Sequence, residues 1–240
     1  MKTSVKFLLA ALVVLLASLT AYNMALRAEY RSGAYKDPLR HYTSLKFKDF
    51  TEVDVPAASR LSVKIMAGPY NVWVHPEAKK FVRISQQGGR LVVALALPEP
   101  AQTLGWGETV VISCPHLTAL TTDGTYEVAG QPQHSAAFIG RTTLVQGFTQ
   151  DSLALRQDRG SRIELKNNQL GLLRAVAGTT PGSHSILQVN NGNKVDAASL
   201  TLAHQSELVL DNVQIRKMSH SFADSVKVTL TGTALTSVLQ

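Results

Sequence analysis

The 240-residue chain is 45% hydrophobic, 17% charged and 6% aromatic, a balance that excludes disorder throughout and a charge-laced coiled coil and favours short strands with many turns. Its single cysteine excludes a disulfide framework and a multi-cysteine zinc site. The formal charge of +7 invites a nucleic-acid partner, but residues 1–50 hold eight basic residues against three acidic ones and leave only +2 for the rest. The body is nearly neutral, and no nucleic-acid partner is expected.

The first predicted element is a helix over residues 7–26, FLLAALVVLLASLTAYNMAL, which carries no charge. At about 1.5 Å per residue it spans roughly 30 Å of hydrocarbon, so it can hold the protein in a membrane. Residues 1–6 form a short basic n-region on the cytoplasmic side, with Lys2 and Lys6, which puts everything after Arg27 on the extracytoplasmic side. A secretory signal has the same plan but needs small residues before its cleavage site. Leu19 stands where one is required, so an uncleaved anchor in the cell envelope is expected, with secretion after cleavage as the alternative. No cysteine follows closely, which excludes lipid attachment there. Residues 27–48 are polar, mixed in charge and include Pro38, and read as a linker.

Residues 49–240 read as an all-β domain. Val53 and Val55, then Leu61, Val63 and Ile65, then Val72 and Val74, then Leu91, Val93, Leu95 and Leu97 alternate with polar residues at period two. Gly88-Gly89 supplies the positive φ of a tight hairpin.

An internal repeat organises the second half. Strand ends at 125–130, 142–147, 161–167, 185–191, 206–212 and 226–232 put Val128, Val145, Leu165, Val189, Leu210 and Leu230 in one apolar column. Two residues later stand Gly130, Gly147, Asn167, Asn191, Asn212 and Gly232, the residue types that best tolerate a left-handed backbone. Tyr126, Ile163, Leu187, Leu208 and Val228 form a second inward column, with Thr143 its polar exception. Leu153 with Leu155 and Leu200 with Leu202 supply another strand per circuit, and Gly178-Thr179-Thr180-Pro181-Gly182 reads as a loop inserted at a corner. The pattern predicts a parallel β-helix, or β-solenoid, of stacked circuits; a β-sandwich is the alternative. Stacking would set Glu207 beside Lys227 and Asn191 beside Asn212.

The segments FKDFTEVDVPAASRLSVKIMAG (47–68), GGRLVVALAL and VVISCPHLTALTTDGTYEVAG (110–130), followed by short strands ending in Gly or Asn, resemble the GIN head-domain family. That bacterial domain of unknown function is associated with adhesins of the autotransporter type. The resemblance covers roughly residues 47–232 and implies a right-handed β-helix at or beyond the bacterial envelope. It brings no functional residues with it.

No residue is assigned a catalytic, cofactor-binding or metal-binding role. A β-helical carbohydrate-active enzyme would align carboxylates in one column, but Glu164 is followed by Gln188, Val209 and Thr229. Asp123, Asp158 and Asp224 fall at bends, where aspartate caps turns. His184, His204 and Asp224 are spaced by twenty, a spacing that could bring a metal site together, yet their offsets from the apolar column differ and corner positions explain them. Cys114 follows Ile112 in an apolar strand and reads as a buried, inert thiol. Gly88-Gly89 leads into no helix, so it is no phosphate loop, and Trp73 and Trp106 are too few for a base-stacking platform. The expectation is a non-enzymatic binding or scaffold module, adhesin-like, held at the membrane by residues 7–26 and meeting an envelope glycan or protein. The alternatives are a carbohydrate-active enzyme and a structural protein that self-associates into a homo-oligomer through an end with no charged cap, only Leu235, Val238 and Leu239.

Overall fold

The apolar run sits inside a longer helix, α1, over Thr3–Ser32. Polar flanks extend it: Arg27, Glu29 and Arg31 keep helical backbone, and Arg31 in the last turn suits the negative end of the helix dipole. Within the apolar stretch the Ser18 and Thr20 hydroxyls donate to the carbonyls of Leu15 and Leu16 at 2.9 and 2.7 Å, so neither is left unsatisfied. In this computed structural model the described residues are 3–33, 36–102, 104–105, 107–135 and 140–235. They divide into a helical unit ending at Tyr42 and a β unit beginning at Thr43.

The β unit starts inside the segment read as a linker, with β1 (Thr43–Leu45), which pairs antiparallel with a later strand. Its first half continues with β2 (Glu52–Val55), β3 (Val63–Ala67), β4 (Asn71–Val74), β5 (Val82–Gln87), β6 (Arg90–Leu97), β7 (Val110–Cys114), β8 (Ala119–Thr122), β9 (Thr125–Val128) and β10 (Gln131–His134). The second half holds β11 (Thr143–Gln146), β12 (Thr149–Gln157), β13 (Arg162–Lys166), β14 (Gln169–Ala177), β15 (Ile186–Val189), β16 (Lys194–Leu202), β17 (Glu207–Asp211), β18 (Gln214–Phe222) and β19 (Lys227–Thr231).

These form two mixed sheets, and the all-β expectation with one N-terminal helix holds. The nine-stranded sheet runs β1-β4-β7-β3-β11-β13-β15-β17-β19, and the ten-stranded sheet runs β10-β9-β6-β2-β8-β12-β14-β16-β18. Two sheets sharing one interior is also what the sandwich alternative requires. From β11 onward successive strands alternate between the sheets, and each pairs in parallel with the strand two places later. The first half is less regular. Antiparallel pairs join β1 to β4, β4 to β7, β5 to β6 and β9 to β10. β2 and β3 are interposed between strands made later, β2 between β6 and β8 and β3 between β7 and β11.

Period-two burial puts most of the predicted apolar residues inside; in the last strand, β19, Leu230 is half-buried and Val228 is 39% exposed. Val145, Leu165, Val189, Leu210 and Leu230 are register partners in one column. Val128 does not join them: Ile65 and Ile112 continue the column instead, while β9 lies in the other sheet beside β6. The Tyr-Glu-Val-Ala-Gly segment resembles a circuit end because Ala129 and Gly130, both at positive φ, close a two-residue β9–β10 hairpin. Tyr126 leaves the second column for the same reason, and Val63 and Val110 stand there with Thr143, Ile163, Leu187, Leu208 and Val228. Thr143 is fully buried, and its hydroxyl has no hydrogen-bond partner among the described residues.

Four of the six expected turn positions hold; Gly130 belongs to the β9–β10 hairpin, and Asn191 gives way to its neighbour. Gly147, Asn167, Asn212 and Gly232 have positive φ, but in the longest circuit Gly192 takes that conformation rather than Asn191. The corner therefore alternates Gly, Asn, Gly, Asn, Gly. Asn167 Oδ1 occupies the space a β-carbon on Gly192 would need, and Asn212 Oδ1 does the same at Gly232. The stacking expected of Asn191 on Asn212 is thus replaced by Asn167 over Gly192. Behind this corner the next residue turns inward: Asn168 and Asn193 are buried and bonded to one another. At the opposite corner Ser185 and Ser206 share a hydrogen bond at 2.9 Å, and Thr122 donates to Ser161 at 3.1 Å.

Candidate functional site

A concave surface of the β unit lies where β12, β14, β16 and β18 bend near their starts. In each strand the register of paired residues is interrupted after the second residue and resumes one residue later, at Asp151, Gly171, Asp196 and Arg216. An interruption repeated at the same place on four adjacent strands creases the sheet and forms an open groove of about 630 Å³. Leu170 and Val195 at the crease point inward and are 2% exposed.

Outside them, Thr149, Gln169, Lys194 and Gln214 form one register column along the groove. Asp151, Gly171, Asp196 and Arg216 form the other. Arg216 lies 3.5 Å from Asp196, and both side chains are more than half exposed, so this pair adds little stability. Gly171 stands between the two aspartates because the strands pack closely there: a β-carbon would press on the Asp151 carbonyl oxygen at 2.7 Å. Asp151 and Asp196 stand two strands apart, about 9–10 Å along the sheet. One wall is fixed by Gln150, whose amide accepts from the Leu117 N–H at 3.1 Å and donates to the Leu117 carbonyl at 2.5 Å.

A second polar cluster occupies the far ends of β8 and β12. Asp123 accepts from Gly124 N–H at 2.7 Å and from Thr125 at 3.0 Å, and Arg159 Nη1 lies 2.8 Å from its carboxylate. Burial works against the Asp158 carboxylate, but hydrogen bonds from Ser183, Thr179 and Thr180 outweigh it and hold its pKa below the ordinary range. Nearby, burial pushes the Asp54 carboxyl above the ordinary range; Arg90 opposes the shift and Asp123 adds to it. These bonds tie the inserted loop to the corner: Thr179 donates to Asp158 at 2.6 Å and Thr180 at 2.9 Å. Asp123 and Asp158 stand at bends as expected, and Asp224 lies in the turn after β18 with its side chain exposed.

Other sequence-predicted positions fall as follows. Glu164, Gln188, Val209 and Thr229 share an outward column, so no carboxylate row exists there. The column containing Asp151 and Asp196 is not legible in the sequence, because an outward polar residue at a bend leaves no periodic trace. His184 and His204 are corner neighbours, the His184 N–H donating to the His204 carbonyl at 3.4 Å, and both have positive φ. Among the described residues no three His, Cys, Asp or Glu side chains are grouped to hold a metal. Cys114 is buried, and burial pushes its thiol up to about 12. Gly88-Gly89 closes the β5–β6 hairpin. Trp73 pairs within β4, while Trp106, Lys2, Val238 and Leu239 lie outside the described residues.

No family model matches the chain, and no curated protein does. Among solved structures it is similar to a "putative adhesin" from Parabacteroides distasonis, with 13% identity and a TM-score of 0.55 over 80% of this chain and 73% of that one. Weaker superpositions relate it to a "putative lipid binding protein" from the same organism (12% identity, TM-score 0.38, 80% and 94% of the two chains). A "putative adhesin" from Bacteroides fragilis gives 8% identity and TM-score 0.39 over 79% and 96%. The first of these defines a shared class of two-sheet β domain. The GIN resemblance finds no support from a family model.

Proposed function

We propose that the chain is a non-catalytic binding module of the cell envelope, a right-handed β-solenoid of the GIN head-domain type whose ligand lies in the groove across β12, β14, β16 and β18. The observation that carries this reading is the crease itself: four adjacent strands bend at the same residue, and the bend is lined by hydrogen-bonding side chains. Strands alternating between two sheets with parallel partners support the solenoid. The name of one similar solved structure, a "putative adhesin", supports a binding role.

α1 is long and apolar enough to cross a membrane, which supports an anchor through residues 7–26 with the β unit on the extracytoplasmic side. Secretion after cleavage is the alternative. Sequencing the mature N-terminus decides between them: Met1 or Lys2 means an anchor, a start within residues 19–28 means a signal. Binding is tested by isothermal titration of the full-length protein in nanodiscs against envelope glycans and envelope proteins. Saturable binding to one class is expected, and none to either would refute the proposal.

A carbohydrate-active enzyme is the second reading, favoured only by Asp151 and Asp196 sharing a column at about 9–10 Å. Both face open solvent, and Asp196 is engaged by Arg216. Release of reducing ends from a glycan incubated with the protein, lost in Asp151→Asn, would establish it.

A further inference from the structure

The ligand class can be argued from the groove, resting on the binding-module reading above. We infer that the groove takes a neutral, hydroxyl-rich linear glycan laid along the sheet, across the strands.

The first ground is chemistry. The exposed side chains are carboxamides, carboxylates, a guanidinium, an ammonium and a hydroxyl, while Leu170 and Val195 face the core. Planar groups such as those of Gln169, Asp196, Gln214 and Arg216 can each meet two neighbouring hydroxyls of a sugar ring, donating or accepting in pairs. A lipid tail would meet mainly polar side chains here. The second ground is charge. Asp151 and Asp196 offset Lys194 and Arg216, so a polyanion would be repelled by the aspartates and a polycation by the two basic residues. A neutral polymer meets neither cost.

The third ground is repeat. Adjacent strands are about 4.8 Å apart, close to the rise of one pyranose unit in an extended chain, so successive sugars meet successive strands at the same backbone bend. Gln150, bonded at both ends of its amide to Leu117, and Asn193, bonded to Leu165 and Asn190, hold the groove's shape before any ligand arrives.

The experiment titrates full-length protein in nanodiscs with four probes: cellohexaose and maltohexaose, which are neutral, oligogalacturonate, which is anionic, and chitosan hexamer, which is cationic. A neutral hexamer is expected to bind at least tenfold more tightly than either charged probe. Its disaccharide should bind at least tenfold more weakly than the hexamer, and Asp196→Ala combined with Gln214→Ala should weaken the hexamer at least tenfold while the melting curve is unchanged. Preference for a charged probe, or equal affinity in the double variant, overturns the inference. A parallel assay measures retention of sonicated cell-envelope fragments by the wild type and the double variant. If no neutral glycan binds but fragments are retained by the wild type alone, the glycan class is wrong and the groove remains a binding site. If neither binds, the binding-module reading falls with it.

Discussion

Asn193 Oδ1 accepts two hydrogen bonds from Asn168, one from its backbone N–H and one from its side-chain amide, each at 3.0 Å. Asn193 Nδ2 donates onward to the carbonyls of Leu165 and Asn190, and Asn168 Oδ1 accepts from the Phe148 N–H. The two amides therefore satisfy the backbone groups that the corner strips from the sheets, in a place where water is excluded. Asn193→Ala is expected to cost about 2–4 kcal/mol, because it leaves buried donors and acceptors unpaired. Chemical denaturation of the variant checks this, with Asn191→Ala, an exposed neighbour, as the control expected to change little.

Gln157 presents the opposite case. It is 2% exposed, and neither its Nε2 nor its Oε1 has a partner among the described residues. In its register column Ala177 and Leu202 occupy the equivalent places. Gln157→Leu should therefore stabilise the fold by about 1–3 kcal/mol, since an unpaired buried amide is replaced by an apolar side chain of similar size. A higher denaturation midpoint at unchanged slope is the expected reading; a lower midpoint would mean the amide is bonded within the core.

The Asp158 carboxyl has a folded pKa below its unfolded value, held there by Ser183, Thr179 and Thr180 against the opposing effect of burial. Its contribution is present in full above the ordinary carboxylate range, near pH 4, and is lost as pH falls toward the depressed folded value. Melting temperatures followed below about pH 4.5 should fall more steeply for the wild type than for Asp158→Asn. Parallel curves would show that these bonds do not favour the charged form.

Cys114 has the reverse sign. Its thiol is raised from 9.0 to about 12 by burial, so the unfolded chain ionises first and stability drops as pH rises from about 9 toward 12. The slope contributed is at most about 1.4 kcal/mol per pH unit. Cys114→Ala should flatten the alkaline limb of the stability curve, and the native thiol should resist a disulfide reagent until the protein unfolds.

The strands most legible in the sequence are those whose inward residues repeat without interruption: Leu165, Val189 and Leu210 are apolar, Ile163, Leu187 and Leu208 stand two residues before them, and a residue tolerant of positive φ follows. The ion pair expected of Glu207 and Lys227 is present at 2.8 Å for the same reason, since register follows from the column. What could not be read was long-range order. Nothing local in β2 or β3 says that later strands will close around them, and the Ala129-Gly130 hairpin carries the same strand-then-glycine signature as a corner. One extra residue in the longest circuit moved the positive φ from Asn191 to Gly192. The groove was invisible for a different reason: its crease is marked by Asp151, Gly171, Asp196 and Arg216, four unlike residues whose common feature is a backbone bend.

Thr121, Arg156, Val176, Thr201 and Ser221 are successive register partners across five strands of the ten-stranded sheet. Spin-label distances from Thr121→Cys to Val176→Cys, Thr201→Cys and Ser221→Cys, measured pairwise by electron paramagnetic resonance, report how the chain climbs. Distances of about 10, 14 and 19 Å, rising by one strand spacing each time, are expected of parallel stacking. Distances that do not increase in that order would contradict the parallel strand order and, with it, the groove those strands build.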